Sequence, residues 1–475
     1  MTLTLARALR VGSAPCIAFI GAGGKTTALF QLARQLPGPV IVTATSHLGV
    51  WQTELADRHI ITEIPEPIEQ LEHGLSGVLL ITGEIDGDRT KPVDKMLLEW
   101  IHQFCNYHSI PLLIEADGSR QKPLKAWAEH EPAVPSFVKY VVQVMGLSSI
   151  GKPLNDQNVH RPEIVSRITG QPAGQIITAD IITRLLLHQE AGLKNIPSQA
   201  SRVVLLNQAD TSELQSVARG MTGSLLSHYD AVIISKLTDA QIFAVHERVA
   251  GVILAAGGSK RFGQPKQLLD WHGQPFVRAV AKTALEAGLS PVLVVIGANS
   301  SSVEAAVQDL DVHVVHNDDW QSGQGSSIRA GIAAIQPPPR PLMGVRQIQQ
   351  VKSSWEITEP AVGFAGGAQQ RAVGGAIFLL TDQPQVTASV LQALVEKHAE
   401  GLHPIVAPMV IDQRANPVLF DRSTFQDLAA IEGDVGGRAI FHKHRVEYLP
   451  WHDDRLLLDV DTPEMYQRLI TDDTL

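Results

Sequence analysis

Short apolar runs rich in β-branched residues recur along the chain, separated by stretches whose apolar positions return every three to four residues. In the first half CIAFIG, VIVTAT, GVLLITG, PLLIEAD, YVVQVMG, RVVLLNQ and AVIISK read as strands. TTALFQLARQL and VDKMLLEWIHQF carry helical spacing between them. Near Ala250 the pattern restarts, with AGVILAAGGSKRFG as a new strand running into a second glycine-rich loop. PVLVVIG, VHVVHN, AIFLLTD and HPIVAPM come next as strands, and PFVRAVAKTALEAG and ASVLQALVEKHAE as helices. This alternation predicts an α/β fold on parallel sheets, in two domains, 1–247 and 248–475, that meet near Arg248. GAGGKTT and LAAGGSKRFGQPK share no frame beyond their glycines, which argues against duplication. Residues from about 336 to 374 hold prolines, glycines and glutamines without periodicity. They read as a flexible insertion in the second domain, with a docking or regulatory role as the alternative.

Composition narrows the class. Of 475 residues, 44% are hydrophobic and 19% charged, enough for real cores and against global disorder. A net charge of −10 argues against a general nucleic-acid or membrane-surface binder, while leaving room for a local phosphate pocket. Cys16 and Cys105 are too few for a disulfide framework or a cysteine zinc site. No apolar run approaches a membrane span, and the first residues lead into a glycine loop rather than a cleavage site. The expectation is a cytoplasmic protein without nucleic-acid or membrane partners.

The second glycine loop carries the clearer chemistry. LAAGGSKRFGQPKQLL offers Gly257 and Gly258 at a strand end, then Arg261 and Lys266. Glycines let backbone N–H groups approach anionic oxygens, and the cations suit a triphosphate and a pyrophosphate leaving group. A βα turn with surface cations is the plainer alternative. In FLLTDQPQV, Asp382 follows a strand, at the end where parallel sheets place functional residues. A carboxylate there can hold Mg2+. In LLLDVDTPEMYQRL, Asp459 and Asp461 share one face of an extended segment and could complete the metal site. Capping of the following helix competes for Asp461. A substrate phosphate can attack an α-phosphorus directly, so His313, His316, His442 and His444 are not read as catalytic.

Together with NDDWQSGQGSSIRAGI, RANPVLF and GDVGGRAI, these motifs resemble the molybdenum cofactor cytidylyltransferase family over residues 250–470, apart from the insertion. The resemblance implies a GT-A-like Rossmann nucleotidyltransferase domain. Its reaction would move CMP from CTP to the terminal phosphate of molybdopterin and release pyrophosphate. Ala255, Ala256, Gly257, Gly258, Arg261 and Lys266 would bind nucleotide, with Lys266, Arg261 and Asp382 carrying catalysis. Mg2+ would sit on Asp382 and Asp461, beside Asp459. The loop 323–327, ending on Ser327, would help seat the base, and Arg414, Asn416 and Pro417 would lie near the pterin. Two departures stand out: Phe262 replaces the family's Met, and Ala415 replaces a glycine, which questions the turn there.

In the first half, IAFIGAGGKTT sets Gly21, Gly23, Gly24, Lys25 and Thr26 between a strand and a helix. Lys25 would reach β- and γ-phosphates and Thr26 would ligate Mg2+, with the helix dipole assisting. The usual spacing demands glycine where Phe19 stands, so this P-loop is a short, deviant form. LLIEADGSR ends a strand with Glu115 and Asp117, placed like the acid that orients the metal. Thr45 and His47 fall where a switch-like loop could sense the γ-phosphate. LNQAD has the Asn207 and Asp210 of an Asn-Lys-x-Asp guanine-reading motif without its Lys, and carries no weight for base choice. Lys125, His130 and Glu131 make either a ligand site or a solvated loop.

GAGGKTT, EADGSRQKPLKAWAEHEP and GLSSIGKPLNDQNVHRPE resemble the YqeC-type accessory family linked to selenium-dependent molybdenum hydroxylases, over residues 10–245. That resemblance names a pathway more than a reaction. The whole chain is therefore expected to join an N-terminal P-loop NTPase-like accessory domain to a nucleotidyltransferase of molybdenum cofactor maturation. Its partners would be CTP or another NTP, a molybdopterin-type cofactor and a recipient molybdenum hydroxylase. The alternatives are a nucleotidyltransferase acting on a sugar or polyol phosphate, and an insertion chaperone that binds nucleotide without transfer.

Overall fold

The computed structural model describes residues 3–70, 74–259, 262–336 and 371–472. Most of the insertion read at 336–374, and Arg261, lie outside them. The first sheet runs, edge to edge, Gln241–Glu247, Ala231–Lys236, Ser201–Asn207, Tyr140–Gly146, Cys16–Gly21, Leu112–Glu115, Val40–Ala44, Val78–Thr82 and Arg58–Ile61. All neighbours are parallel except the first two. Its central strands are buried on both faces, which is why they read as unbroken apolar runs. From Cys16–Gly21 the chain passes through the helix Lys25–Gln35 to Val40–Ala44, while Tyr140–Gly146 pairs on the other side. The first glycine loop therefore opens at a topological switch point, where α/β sheets bind ligands.

Arg248 alone separates Gln241–Glu247 from Val249–Ala255, which is central in the second sheet. That sheet runs His313–His316, Val292–Ile296, Val249–Ala255, Gly375–Leu380, Val418–Asp421 and Ile405–Val410, and Val446–Pro450 adds in parallel to the last. Val418–Asp421 is antiparallel to both its neighbours. The α/β fold on mainly parallel sheets is as expected in both halves; each sheet is parallel at its centre and adds antiparallel pairing towards one side.

The two halves share a core. Leu402 packs in the same apolar cluster as Leu5, Leu9 and Phe19. Arg10 donates to Glu247 at 2.9 Å and to both oxygens of Asp421, which also bonds His398 Nε2 at 2.7 Å. Arg7 donates to the carbonyls of Gly401 and Leu402. Among the described residues no helix is long and apolar enough to cross a membrane.

Candidate functional site

In the second half the strand Val249–Ala255 delivers buried Ala255 and Ala256, then exposed Gly257 and half-buried Gly258. At Gly258 a Cβ would stand 3.0 Å from the Trp320 ring, so a side chain there would press on that ring. The loop is closed by Gln267, which is buried and donates to the carbonyls of Ala255 at 3.0 Å and Gly257. The Lys266 N–H donates to Ser259 Oγ at 2.9 Å, fixing where the lysine leaves the loop. Its Nζ lies 2.6 Å from Asp461 Oδ1 and 3.6 Å from Asp382 Oδ2.

Asp382 lies just past Gly375–Leu380, and its carbonyl accepts from Val460 N at 3.1 Å, joining the two acidic segments. Burial pushes the Asp382 carboxyl up to about 6; Lys266 opposes this, and Asp459 and Asp461 add to it. Burial, then Asp461, raises Asp459, whose Oδ1 accepts from Gln383 at 2.6 Å. Capping of the following helix falls to Thr462, which accepts from Met465 N, so Asp461 is left to Lys266. Hence Lys266, Asp382, Asp459 and Asp461 come together. Among the described residues no three acidic, histidine or cysteine side chains close into a finished metal cage. The donors are nonetheless hard carboxylate oxygens, two with raised proton affinity, and that chemistry fits a divalent cation.

Ser327 lies in the first turns of the helix Gln324–Ile335 and is 6% exposed. Its hydroxyl accepts from Asn317, as does that of Ser326. Arg414 stacks its guanidinium 4.5 Å from the Phe441 ring. Ala415 is buried and outside the left-handed region; the positive φ angles fall on Ile411 and Asp412, so no glycine is needed at Ala415. Phe262 fills a small apolar cluster with Trp271 and Phe276, which houses the larger ring.

In the first half the glycine loop is closely packed. Gly21 has φ +97°, and a Cβ there would meet Val144 O at 2.2 Å. Lys25 Nζ donates to Gly21 O at 2.7 Å and lies 3.2 Å from Asp117. Thr26 Oγ1 donates to Glu115 at 2.9 Å and accepts from the Gln52 amide at 2.5 Å. Asp117 is drawn into the same network. Its oxygens accept from the Gly21 N–H at 2.9 Å, the Trp127 indole at 2.6 Å and Lys125 at 3.1 Å. Asp117 pins the loop; Glu115 is the acid that touches the Thr26 hydroxyl, and burial raises its pKa.

Lys125, fully buried, continues to Glu131 at 3.2 Å, and Arg161 closes the chain by a bond to Glu131. Burial would raise Glu131, but the Arg161 hydrogen bond and the Lys125 charge outweigh it and hold the carboxyl at about 2. Lys125 and Glu131 are thus neither a solvated loop nor an open site but a charged brace behind the glycine loop; His130 is exposed. Thr45 Oγ1 donates to Ala133 O, and His47 Nδ1 meets Thr90 O at 3.0 Å. The sequence reading missed Gln52, Gln267 and Asn317, whose contacts depend on chain closure and leave no local pattern.

Two fused α/β domains, the second of nucleotidyltransferase fold, define the class. A family model described as YqeC protein matches residues 17–163, and one described as MobA-like NTP transferase domain matches residues 251–448. YqeC of Escherichia coli is 30% identical over 207 residues, spanning 42% of this chain and 77% of that protein. Nicotine blue oxidoreductase of Paenarthrobacter nicotinovorans is 29% identical over 231 residues, 47% of this chain and 96% of that protein. A probable molybdenum cofactor guanylyltransferase of Bacillus cytotoxicus is 26% identical over 113 residues, 24% of this chain and 48% of that protein. The chain belongs to the YqeC family and carries, in its C-terminal half, a MobA-like NTP transferase domain.

Proposed function

We propose that the C-terminal half is a cytidylyltransferase of molybdenum cofactor maturation, and that the N-terminal half is a nucleotide-binding accessory serving the recipient molybdenum hydroxylase. An oxygen of the acceptor phosphate forms a bond to the α-phosphorus of CTP, the bond to the β-phosphate oxygen breaks, and pyrophosphate leaves. The observation that carries this reading is Lys266, held between Asp382 and Asp461 beside the glycine loop. Backbone N–H groups of Gly257 and Gly258 and the Lys266 ammonium bind the triphosphate. Asp382 and Asp461, with Asp459 behind them, would hold Mg2+, which supplies neutralisation of the phosphates when bound. Arg261, from its place in the motif, adds a second cation.

The test incubates the protein with each NTP, Mg2+ and molybdopterin and measures pyrophosphate. Release with CTP that needs the acceptor supports the proposal. Release that needs a sugar or polyol phosphate instead redirects it. Nucleotide binding without pyrophosphate release under any of these conditions favours the insertion chaperone instead.

A further inference from the structure

Asn207 ends the strand Ser201–Asn207, separated from the glycine-loop strand only by Tyr140–Gly146. It is buried, and every polar atom of its side chain is used. Its Nδ2 donates to Gly23 O at 2.8 Å, and its Oδ1 accepts from Ser235 Oγ at 3.2 Å and Leu237 N at 3.0 Å. A Cβ on Gly24 would meet the same amide at 2.4 Å. One asparagine therefore ties the glycine loop to two neighbouring strand ends, and anchors the start of the turn 208–210.

That turn is held from both sides. Gln208 takes φ +61°, the Ala209 N–H donates to Ser235 O at 3.0 Å, and Ala209 O accepts from the Gln215 amide at 3.2 Å. Asp210 comes next, exposed, with no hydrogen-bond or ion-pair partner among the described residues. It is not a helix cap, because Thr211 accepts from Leu214 N at the start of Ser212–Leu225. Lys236, paired with Asp239 at 2.7 Å, also feels the Asp210 charge.

We propose that the N-terminal half takes a guanine nucleotide, with Asp210 reading the base; this rests on the nucleotide-binding function proposed for the N-terminal half and its loop 21–26. A carboxylate presents two parallel acceptor oxygens and no donor. Guanine offers two adjacent donors, N1–H and the 2-amino group, and satisfies both oxygens at once. Adenine has an acceptor at N1 and no amine at C2, so it meets the carboxylate with repulsion. The missing Lys of the sequence motif leaves this chemistry untouched, because neither Asn207 nor Asp210 works through that position.

The experiment displaces N-methylanthraniloyl-GTP from the full chain in Mg2+ with GTP, ATP, CTP and XTP. The Lys25→Ala variant marks which binding belongs to the N-terminal loop. For the Lys25-dependent site we expect GTP to compete at least about 100-fold better than ATP, since a site built for a donor rejects the analogue lacking it. Asp210→Asn, at an exposed position, should weaken GTP by a similar factor and strengthen XTP, whose C2 oxygen accepts from the new amide. Lys25-dependent binding that does not discriminate between purines, or that ignores Asp210→Asn, overturns the guanine assignment and leaves the nucleotide reading standing. No Lys25-dependent binding of any nucleotide overturns both.

Discussion

Replacing Glu131 by Gln tests whether the charged brace behind the first glycine loop is as stabilising as its geometry implies. The carboxyl meets Lys125 at 3.2 Å and Arg161 directly, and its side chain is 16% exposed. Its pKa falls from an ordinary 4.5 to about 2. At about 1.4 kcal/mol per tenfold change in proton affinity, that fall sets a ceiling of about 3 kcal/mol. Residual solvent contact brings the expected cost of Glu131→Gln at neutral pH to about 2 kcal/mol. A depressed carboxyl contributes its full stability above its unfolded value and loses it as the folded group protonates. The gap between wild type and variant should therefore shrink by roughly a third between pH 7 and pH 3.5, and mostly vanish near pH 2.5. Urea titration with pulse proteolysis, reading fragments from residues 16–131, follows the N-terminal half. Equal midpoints at pH 7, or a gap that does not shrink on acidification, would refute the brace.

Asp382→Asn should cut CTP-dependent pyrophosphate release by about 100-fold or more while weak CTP binding persists, because the amide keeps the size but loses the charge that holds a hard cation; steady-state rates with calorimetric binding decide it, and full activity would remove the metal assignment. Arg10→Met removes the guanidinium shared by the buried carboxylates of Glu247 and Asp421, leaving Asp421 to His398. It should cost about 3 kcal/mol, with part recovered in Arg10→Met/Asp421→Asn; an unchanged denaturation midpoint in the single variant would contradict this.

Much of the fold was legible because a strand covered on both faces must be apolar along its whole length, as in CIAFIG and VVQVMG. Some of the strands left unread, though not the buried Val418–Asp421, are those where that demand lapses. Arg58–Ile61 is an edge with two exposed residues, and Val446–Pro450 has no buried residue. The glycine loops were legible for a related reason: Gly21, Gly23, Gly24 and Lys25 are covalent neighbours, so their chemistry appears in one short window. Asn207 and Gly23 are 184 residues apart, so their contact has no local signature. The partners of Asp117 were illegible for the converse reason, since its position in LLIEAD says where the backbone runs but not that three donors already claim its oxygens.

On the proposed reading, the two halves store their phosphate-binding lysines in the same way. Lys25 rests on Gly21 O and Asp117, and Lys266 rests on Asp461 and Asp382. Without a ligand each ammonium keeps its charge satisfied, which spares the fold an uncompensated buried cation. The storage has a consequence for binding: a triphosphate that draws the lysine away strips a carboxylate of its counter-ion. In the first half Asp117 loses little, because Gly21 N–H, Trp127 and Lys125 still donate to it. In the second half Asp382 and Asp461 lose the one cation the described residues give them, in a crevice where burial already raises the Asp382 pKa. A divalent cation arriving with the nucleotide restores that balance. The second site is thereby built to bind nucleotide and metal together, whereas the brace of Lys125, Glu131 and Arg161 lets the first keep its shape when the lysine moves.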